Sequence, residues 1–543
     1  MNIKIFALGG LNEIGKNMYI VEVDNEIYVF DSGLKYADDK MLGVDYIIPN
    51  YDYLIKNKDR IQGIFLTHGH DEQIGAIPDM LLELPYVNIF ATKYTLDILK
   101  EELNNENLKA NLVEIKPHKK LIIGKNEIFS ISLSHSIPDS VGYILYTKQG
   151  AIFYTGNFVF DPSMQGAYKT DIGKLAYVGK QGVLCLLSES IYADKLGFTS
   201  PNHRAYEYLK EIINNNENRI IINLYKGQIF RIQEILNAIE TDRKVIIMGK
   251  SLESNILNSI DNGYIKFDKS KIGNIHHMEK NSIILVCDDR EKPYSNIKRI
   301  VKGYDKFITL KETDTIIFAS PVYDGMEKTA TSLFDEIAKL GINLITLSSK
   351  KFPSLHASQE DLMMMLSLIN PKYYFPVLGE YRHQVANAEI AKIYGMKDEN
   401  IILNLNGAVA TFEKGKLVDN TEVVRVDDIL IDGKTIGDVG ELVIKDREML
   451  GENGIVLAVA IIDKKTKEIY STDIVTKGFV SVKDNMNLIE EAKKMTIDII
   501  KENTKASYVD YSKVKNEIRD KIGKYFYSET ECKPVILIMM QEI

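Results

Sequence analysis

The rhythm of apolar residues changes twice along this chain, and that constrains its fold more than any other feature. Up to about residue 200, short apolar runs separated by turns read as strands: 3–8, 18–23, 27–30, 64–67, 87–91, 121–123, 128–133, 143–146, 151–155 and 183–187. A few helices, such as 95–106, fill the gaps. After Pro201 long amphipathic stretches (202–214, 228–240, 326–340) alternate with apolar strands (220–224, 244–248, 282–286, 315–319, 343–346). That β-α-β alternation predicts a parallel sheet unit. From about Leu355 the first texture returns, with a helix over 358–368 and a strand over 373–377. One layered α/β domain interrupted by a second accounts for this order. After Gly451 a last segment carries strands near 454–462, 468–474 and 535–540, and helices near 487–501 and 511–527.

The 543 residues contain 76 acids and 67 bases, a net charge of -9, which argues against a surface that grips nucleic acid everywhere. A local basic channel is compatible with it. The three cysteines, Cys185, Cys287 and Cys532, form no C-x-x-C pair, which excludes a disulfide scaffold and a cysteine-rich zinc module and fits a reducing compartment. The longest apolar run, ending before Asp463, is about half of what a bilayer span needs. The N-terminal residues lack the profile of a signal peptide. The expectation is a soluble cytoplasmic protein without a membrane partner.

The most informative segment is Leu66-Thr67-His68-Gly69-His70-Asp71-Glu72-Gln73, just past an apolar strand. Two histidines at i and i+2 beyond a buried strand can aim at one point above a sheet edge. With a third, His135 in Ser134-His135-Ser136, they make the neutral imidazole set that suits zinc with one open position. The plainer reading is a polar turn.

These residues, together with Leu8-Gly9-Gly10, Phe30-Asp31-Ser32-Gly33, Thr155-Gly156-Asn157 leading to Asp161, and Ser188-Glu189-Ser190, resemble the ribonuclease J family of the metallo-β-lactamase superfamily. Gly437–Gly440 and Thr476–Val480 look like further landmarks. The resemblance runs nearly end to end. It implies a metallo-β-lactamase αββα sandwich (1–202 and 351–450) with an inserted β-CASP α/β domain (203–350) and a small C-terminal α/β assembly domain (451–543).

The departures from the family pattern carry the functional expectation. The family holds two zinc ions with seven ligands, opened by H-x-H-x-D-H. His68, His70 and His135 match, with Glu72 and Asn157 as weaker candidates. Gln73 stands where a histidine is expected, Asn157 where an aspartate bridges both metals, and Leu378 where another histidine ligates. Leucine offers no lone pair, and neutral amides are poor zinc donors beside imidazole. The expectation is one zinc per chain, a second site without metal, and manganese as a possible substitute.

The phosphate-gripping loop of the family corresponds to Phe352-Pro353-Ser354-Leu355-His356. The resemblance gives His356 the role of the catalytic β-CASP histidine and Glu189 that of its acidic partner. His356 also precedes Ser358, which can cap a helix. Cys287–Pro293, where the family is glycine-rich, carries acids. Lys350 and Lys351 add positive charge beside the loop. Two functions stay open. One is an RNA-processing and decay protein of weak or no catalysis that binds RNA as a homo-oligomer or as a hetero-oligomer with an active paralogue. The other is an active 5′-3′ exoribonuclease or endoribonuclease using a single zinc or manganese ion.

Overall fold

The computed structural model describes residues 2–38, 41–287, 294–322, 326–433, 435–436, 441–505 and 509–543. Two compact units emerge, 1–36 with 45–429, and 37–44 with 430–543.

In the larger unit two sheets face each other. The first has eight strands in the order Lys416–Asp419, Ala410–Glu413, Asn2–Gly9, Met18–Val23, Glu26–Phe30, Ile61–Phe65, Asn88–Ala91 and Asn111–Glu114. The second has six: Tyr373–Val377, Val183–Glu189, Gly150–Tyr154, Val141–Thr147, Asn126–Ser132 and Lys120–Ile123. Tyr19, Tyr28, Phe30 and Phe65 from the first sheet interlock with Tyr143, Tyr154, Leu187 and Phe375 from the second. Such face-to-face burial of aromatic and branched side chains is the main stabilising term of a sandwich. Outside the second sheet lie the helices Ile172–Gln181, Gln359–Ile369 and Tyr381–Tyr394; the first two and the C-terminal half of the third, through Ile390 and Ala391, pack on Phe153, Leu186 and Tyr374. The layers are those of the αββα sandwich.

The insert holds a five-stranded, all-parallel sheet in the order Val245–Met248, Ile283–Cys287, Ile220–Leu224, Thr315–Phe318 and Asn343–Thr346. Its first three strands are near-continuous apolar runs because helices cover both faces. Ile229–Asn237 and Lys250–Asp261 pack on one face, and Ser295–Val301 and Glu327–Lys339 on the other. The first core is shared: Tyr94, Ile137, Val159 and Tyr168 of the sandwich join Leu209, Ile229 and Leu252 of the insert.

The junction is also pinned by charge. Buried Asp161 faces His203 at 3.1 Å, is paired by Arg204, and accepts from the Ser163 amide and hydroxyl. Burial alone would raise the Asp161 pKa, but these donors hold the carboxyl well below the usual carboxylate range. On the insert side Glu234 accepts from the amides of Ala205 and Tyr206, while Arg231 donates to Glu234 and to the His203 carbonyl.

Several expected elements shift at their ends. The helix expected over 202–214 is Tyr206–Asn214, because residues 203–205 are taken up by this clamp. The strand expected over 64–67 is Ile61–Phe65, which frees Thr67 for side-chain bonding. The helix after His356 has the anticipated cap: Ser358 and Asp361 form a reciprocal capping box. Helices Ile172–Gln181, Lys250–Asp261 and Tyr381–Tyr394 are additional. Among the segments singled out from sequence, 288–293 and 437–440 lie outside the described residues.

The smaller unit has its own core. The central strand Ile455–Ile462 alternates buried and half-buried positions, pairing antiparallel with Ile469–Lys477 and parallel with Val535–Glu542. Helices Met486–Asn503 and Tyr511–Thr530 cover one face through Ala492, Ile499, Ile518 and Phe526. The C-terminal run expected either in a sheet or at an interface is a sheet member. Among the described residues, no helix is long and apolar enough to cross a membrane.

Candidate active site

Six of the candidate residues sit at or just beyond strand C-termini. His68 and His70 follow Ile61–Phe65 of the first sheet. His135 follows Asn126–Ser132, Asn157 follows Gly150–Tyr154, Glu189 ends Val183–Glu189 and Leu378 follows Tyr373–Val377, all in the second sheet. The last three of these strands are parallel neighbours, so their C-termini share one edge. Gly33 is required for this packing: a β-carbon there would lie 1.6 Å from the Glu72 carbonyl oxygen.

His68, His70 and His135 bring one ring nitrogen each to within 4.8 Å of one another, a grouping that does not include Glu72. Each outer nitrogen has an oxygen partner. His68 Nδ1 lies 3.0 Å from Thr67 Oγ1, whose hydroxyl also faces the Asp31 carboxylate at 2.9 Å. His135 Nδ1 lies 2.7 Å from the Leu355 carbonyl, and His70 Nε2 lies 3.1 Å from the Gly227 carbonyl. A carbonyl only accepts, so both of these nitrogens carry the proton. The lone-pair nitrogens of His135 (Nε2) and His70 (Nδ1) then face each other at 3.3 Å. Two nitrogens bound tetrahedrally at about 2.0–2.1 Å to one zinc stand about 3.3–3.4 Å apart. The three imidazoles therefore fit one zinc-sized cation.

The electrostatics agree. Burial, followed by the neighbouring His70 and His356, keeps His135 neutral well below the usual histidine range. Asp31 is fully buried, and burial pushes its carboxyl up to about 7 against the donors Thr67 and Tyr154.

The neighbouring position has different chemistry. Gln73 Nε2 donates to Asn157 Oδ1 at 3.3 Å, and the Asn157 side-chain nitrogen packs 2.9 Å from His356 Nδ1. His356 Nδ1 is 2.9 Å from Glu189 Oε2, to which its N–H donates. Glu189 Oε1 accepts from the amides of Phe158 and Ala357. Burial raises the Glu189 pKa, opposed by His356 and those two N–H groups. Glu72, Gln73, Asn157, His356 and Leu378 bound a cavity of about 60 Å³. Leu378 is 1% exposed and has φ +55°, a left-handed conformation that Asn, Asp and His enter far more readily than a branched apolar residue. This donor set does not fit a second cation: Glu72 stands outside the tight group, Gln73 and Asn157 offer neutral amides already paired with each other, and Leu378 offers no lone pair.

A larger cleft of about 310 Å³ opens over both positions. Of the five residues expected to hold phosphate, Ser354, Leu355 and His356 line it, whereas Phe352 and Pro353 do not. Phe352 is buried against Tyr208 in the core shared with the insert, and Leu355 is mostly buried there too. Lys351 lies over the Tyr208 and Phe352 rings. The cations that line the cleft are Lys195 and Arg382, with Lys195 over the ring of Tyr192 and Tyr192 edge-on to His356. Sequence reasoning missed these three; the i, i+3 spacing of Tyr192 and Lys195, just beyond Glu189, is the one local signal that could have pointed to two of them. It also missed the Thr67–Asp31 support and the two carbonyls, which no local pattern marks.

Comparison with known proteins agrees across the chain. Residues 11–164 match the metallo-β-lactamase superfamily, 217–337 the ribonuclease J β-CASP domain, 350–403 the RNA specificity domain of zinc-dependent metallo-hydrolases, and 442–543 the ribonuclease J C-terminal domain. Ribonuclease J2 of Bacillus subtilis (strain 168) is 36% identical over 550 residues, covering 100% of this chain and 99% of the relative. Ribonuclease J 2 of Staphylococcus aureus (strain NCTC 8325 / PS 47) is 34% identical over 100% of this chain and 98% of its own length. A crystal structure of a protein of unknown function from Enterococcus faecalis V583 superimposes with a TM-score of 0.54 at 15% identity, covering 76% of this chain and 100% of that one, which speaks to fold alone.

Proposed function

The chain belongs to the ribonuclease J family, and from that premise we propose that it binds RNA in the cleft above His356 while hydrolysing it weakly or not at all. One zinc, held by His68, His70 and His135, would supply Lewis-acid polarisation of a phosphoryl oxygen. The chain's own groups would do the rest. Ser354 and His356 face the phosphate, Lys195 and Arg382 offset its charge, and Glu189 fixes the His356 ring by accepting from Nδ1. In-line displacement of a phosphodiester gains most when cations stabilise both the attacking and the leaving oxygen. The observation that carries the weak-catalysis reading is the Gln73–Asn157 amide pair, beside a buried Leu378 where a second donor set would have to stand.

In this reading the protein acts in RNA processing and decay as a partner, in a homo-oligomer or beside an active paralogue with a complete two-metal set. A second reading, a one-metal exo- or endoribonuclease, is favoured by the 3.3 Å approach of His70 and His135 and the fixed outer nitrogens. One experiment separates them: metal content by elemental analysis, with degradation of 5′-monophosphorylated RNA measured with and without added manganese. About one zinc per chain and slow cleavage support the first reading. Cleavage that is rapid and disappears in a His68→Ala, His70→Ala variant supports the second. Two tightly held metals per chain would falsify both. The partner role fails if the protein neither co-purifies with such a paralogue nor changes its activity.

A further inference from the structure

Two of the three imidazoles are oriented by backbone that supplies no ligand. His70 Nε2 donates to the Gly227 carbonyl, which belongs to the insert. His135 Nδ1 donates to the Leu355 carbonyl, which belongs to the loop that re-enters the sandwich after the insert. The same stretch of the insert is bonded to the ligand loop a second time: the Phe230 amide donates to the Ser136 carbonyl at 3.0 Å, and Ser136 Oγ lies 3.3 Å from His70 Nε2. The turn carrying Gly227 is in turn held from within the insert. Tyr225 donates to the Pro321 carbonyl at 2.5 Å, and Gln228 Oε1 accepts from Ser320 at 2.8 Å. Leu355 is flanked by the cleft residues Ser354 and His356, and the His356 amide donates to the Ser354 carbonyl at 2.9 Å.

We infer that docking of the insert and of the 354–356 loop is thermodynamically coupled to metal binding, with the Gly227 and Leu355 carbonyls as the coupling groups. The inference rests on the one-zinc reading. A carbonyl accepting the outer N–H of an imidazole fixes its tautomer and ring plane and makes the inner nitrogen a better donor. Where the insert or the loop shifts, His70 and His135 lose that support and hold the cation less well. Linkage is reciprocal: a cation on the imidazoles must stabilise the docked insert and loop by the same factor. A phosphate chain that orders residues 354–356 therefore tightens metal binding, and metal prepares the loop for phosphate. The signal crosses the molecule through two hydrogen bonds to segments separated by more than a hundred residues in sequence, with no ligand moved.

The test uses the full chain and zinc alone, so it needs no cleavage. Hydrogen exchange is followed with and without zinc, and zinc affinity is measured by chelator competition for the wild type and for a Tyr225→Phe, Gln228→Ala variant. That variant keeps every imidazole and removes two side-chain bonds that hold the turn carrying Gly227; Tyr225→Phe alone serves where the double variant folds poorly. The expected result is slowed exchange in 226–232 and 354–358 on adding zinc, and affinity about tenfold weaker in the double variant, within the range found when outer partners of metal-bound histidines are removed. Protection confined to 66–71 and 133–136, with unchanged affinity in the variants, overturns the coupling and leaves the one-zinc reading standing. A wild type that takes up no zinc overturns both.

Discussion

On one side of Asn157, three imidazoles converge and every outer nitrogen meets an oxygen. On the other side, two carboxamides meet each other, and a buried leucine fills the place of a donor. Both sides draw on segments that follow strands of the two facing sheets, so their place in the fold does not distinguish them. The difference lies in what each side does with its lone pairs. The imidazole side leaves lone pairs aimed at a common point, stable only around a shared proton or a cation. The amide side satisfies its polar groups internally and has little left to offer a metal. Amide pairing and apolar packing leave the fold intact on this side without any cation.

Rebuilding the amide side should have the largest effect. A Gln73→His, Asn157→Asp, Leu378→His variant should raise metal content from about one to about two per chain. It should also speed hydrolysis of 5′-monophosphorylated RNA by roughly 100-fold or more, the scale on which preorganised charge at a transition state acts. Elemental analysis and a single-turnover assay check both. A variant that gains the second metal but no rate would show that the second metal alone does not set the rate of cleavage.

The imidazole side can be sharpened through Asp31. Its carboxyl lies behind Thr67 and His68, and burial raises it to about 7 in the folded chain, from an ordinary value near 3.8. With metal chelated, the sign follows directly. Below about pH 4 the group is protonated in both states; between there and pH 7 the unfolded chain loses its proton while the folded chain keeps it. Stability therefore falls as pH rises through that window, by at most about 4 kcal/mol from this group. Asp31→Asn should flatten the pH dependence of urea unfolding between pH 4.5 and 7.5. An unchanged slope would mean that the carboxyl is already ionised in the folded protein.

Much of this was legible in the sequence, for identifiable reasons. The His68–His70 pair could be read because i, i+2 spacing past a strand is a local geometric fact. The parallel insert could be read because strands covered on both faces become continuous apolar runs. Helix Tyr381–Tyr394 was not legible, since its buried face is largely polar: Gln384 donates to the Pro376 carbonyl and Asn387 to the Glu189 carbonyl and Ser190. Apolar periodicity is silent for a helix anchored by amides. The family resemblance implies a phosphate contact at Phe352, yet its ring belongs to the core shared with the insert. The carbonyls of Gly227 and Leu355 carry no side-chain signature, so only the tertiary structure exposes them.

The smallest expected effect addresses the leucine itself. Leu378 is 1% exposed, and its backbone is held by bonds from its amide to the Gly10 carbonyl and the Tyr19 hydroxyl, and from the Ser190 amide to its own carbonyl. Those bonds fix φ at +55° whatever side chain stands there. Leu378→Ala should therefore cost about 2–4 kcal/mol for the cavity left behind, with the strain retained. Leu378→Gly leaves a cavity one methyl larger but removes the clash of a β-carbon in the left-handed region, and should be about 1 kcal/mol more stable than the alanine variant. If leucine has simply filled a position shaped for a metal donor, adding zinc should stabilise all three forms equally, since the imidazole side is unchanged in each. A zinc-induced shift that differed between the leucine and glycine forms would mean that the two sides are not independent, and that position 378 still senses the metal.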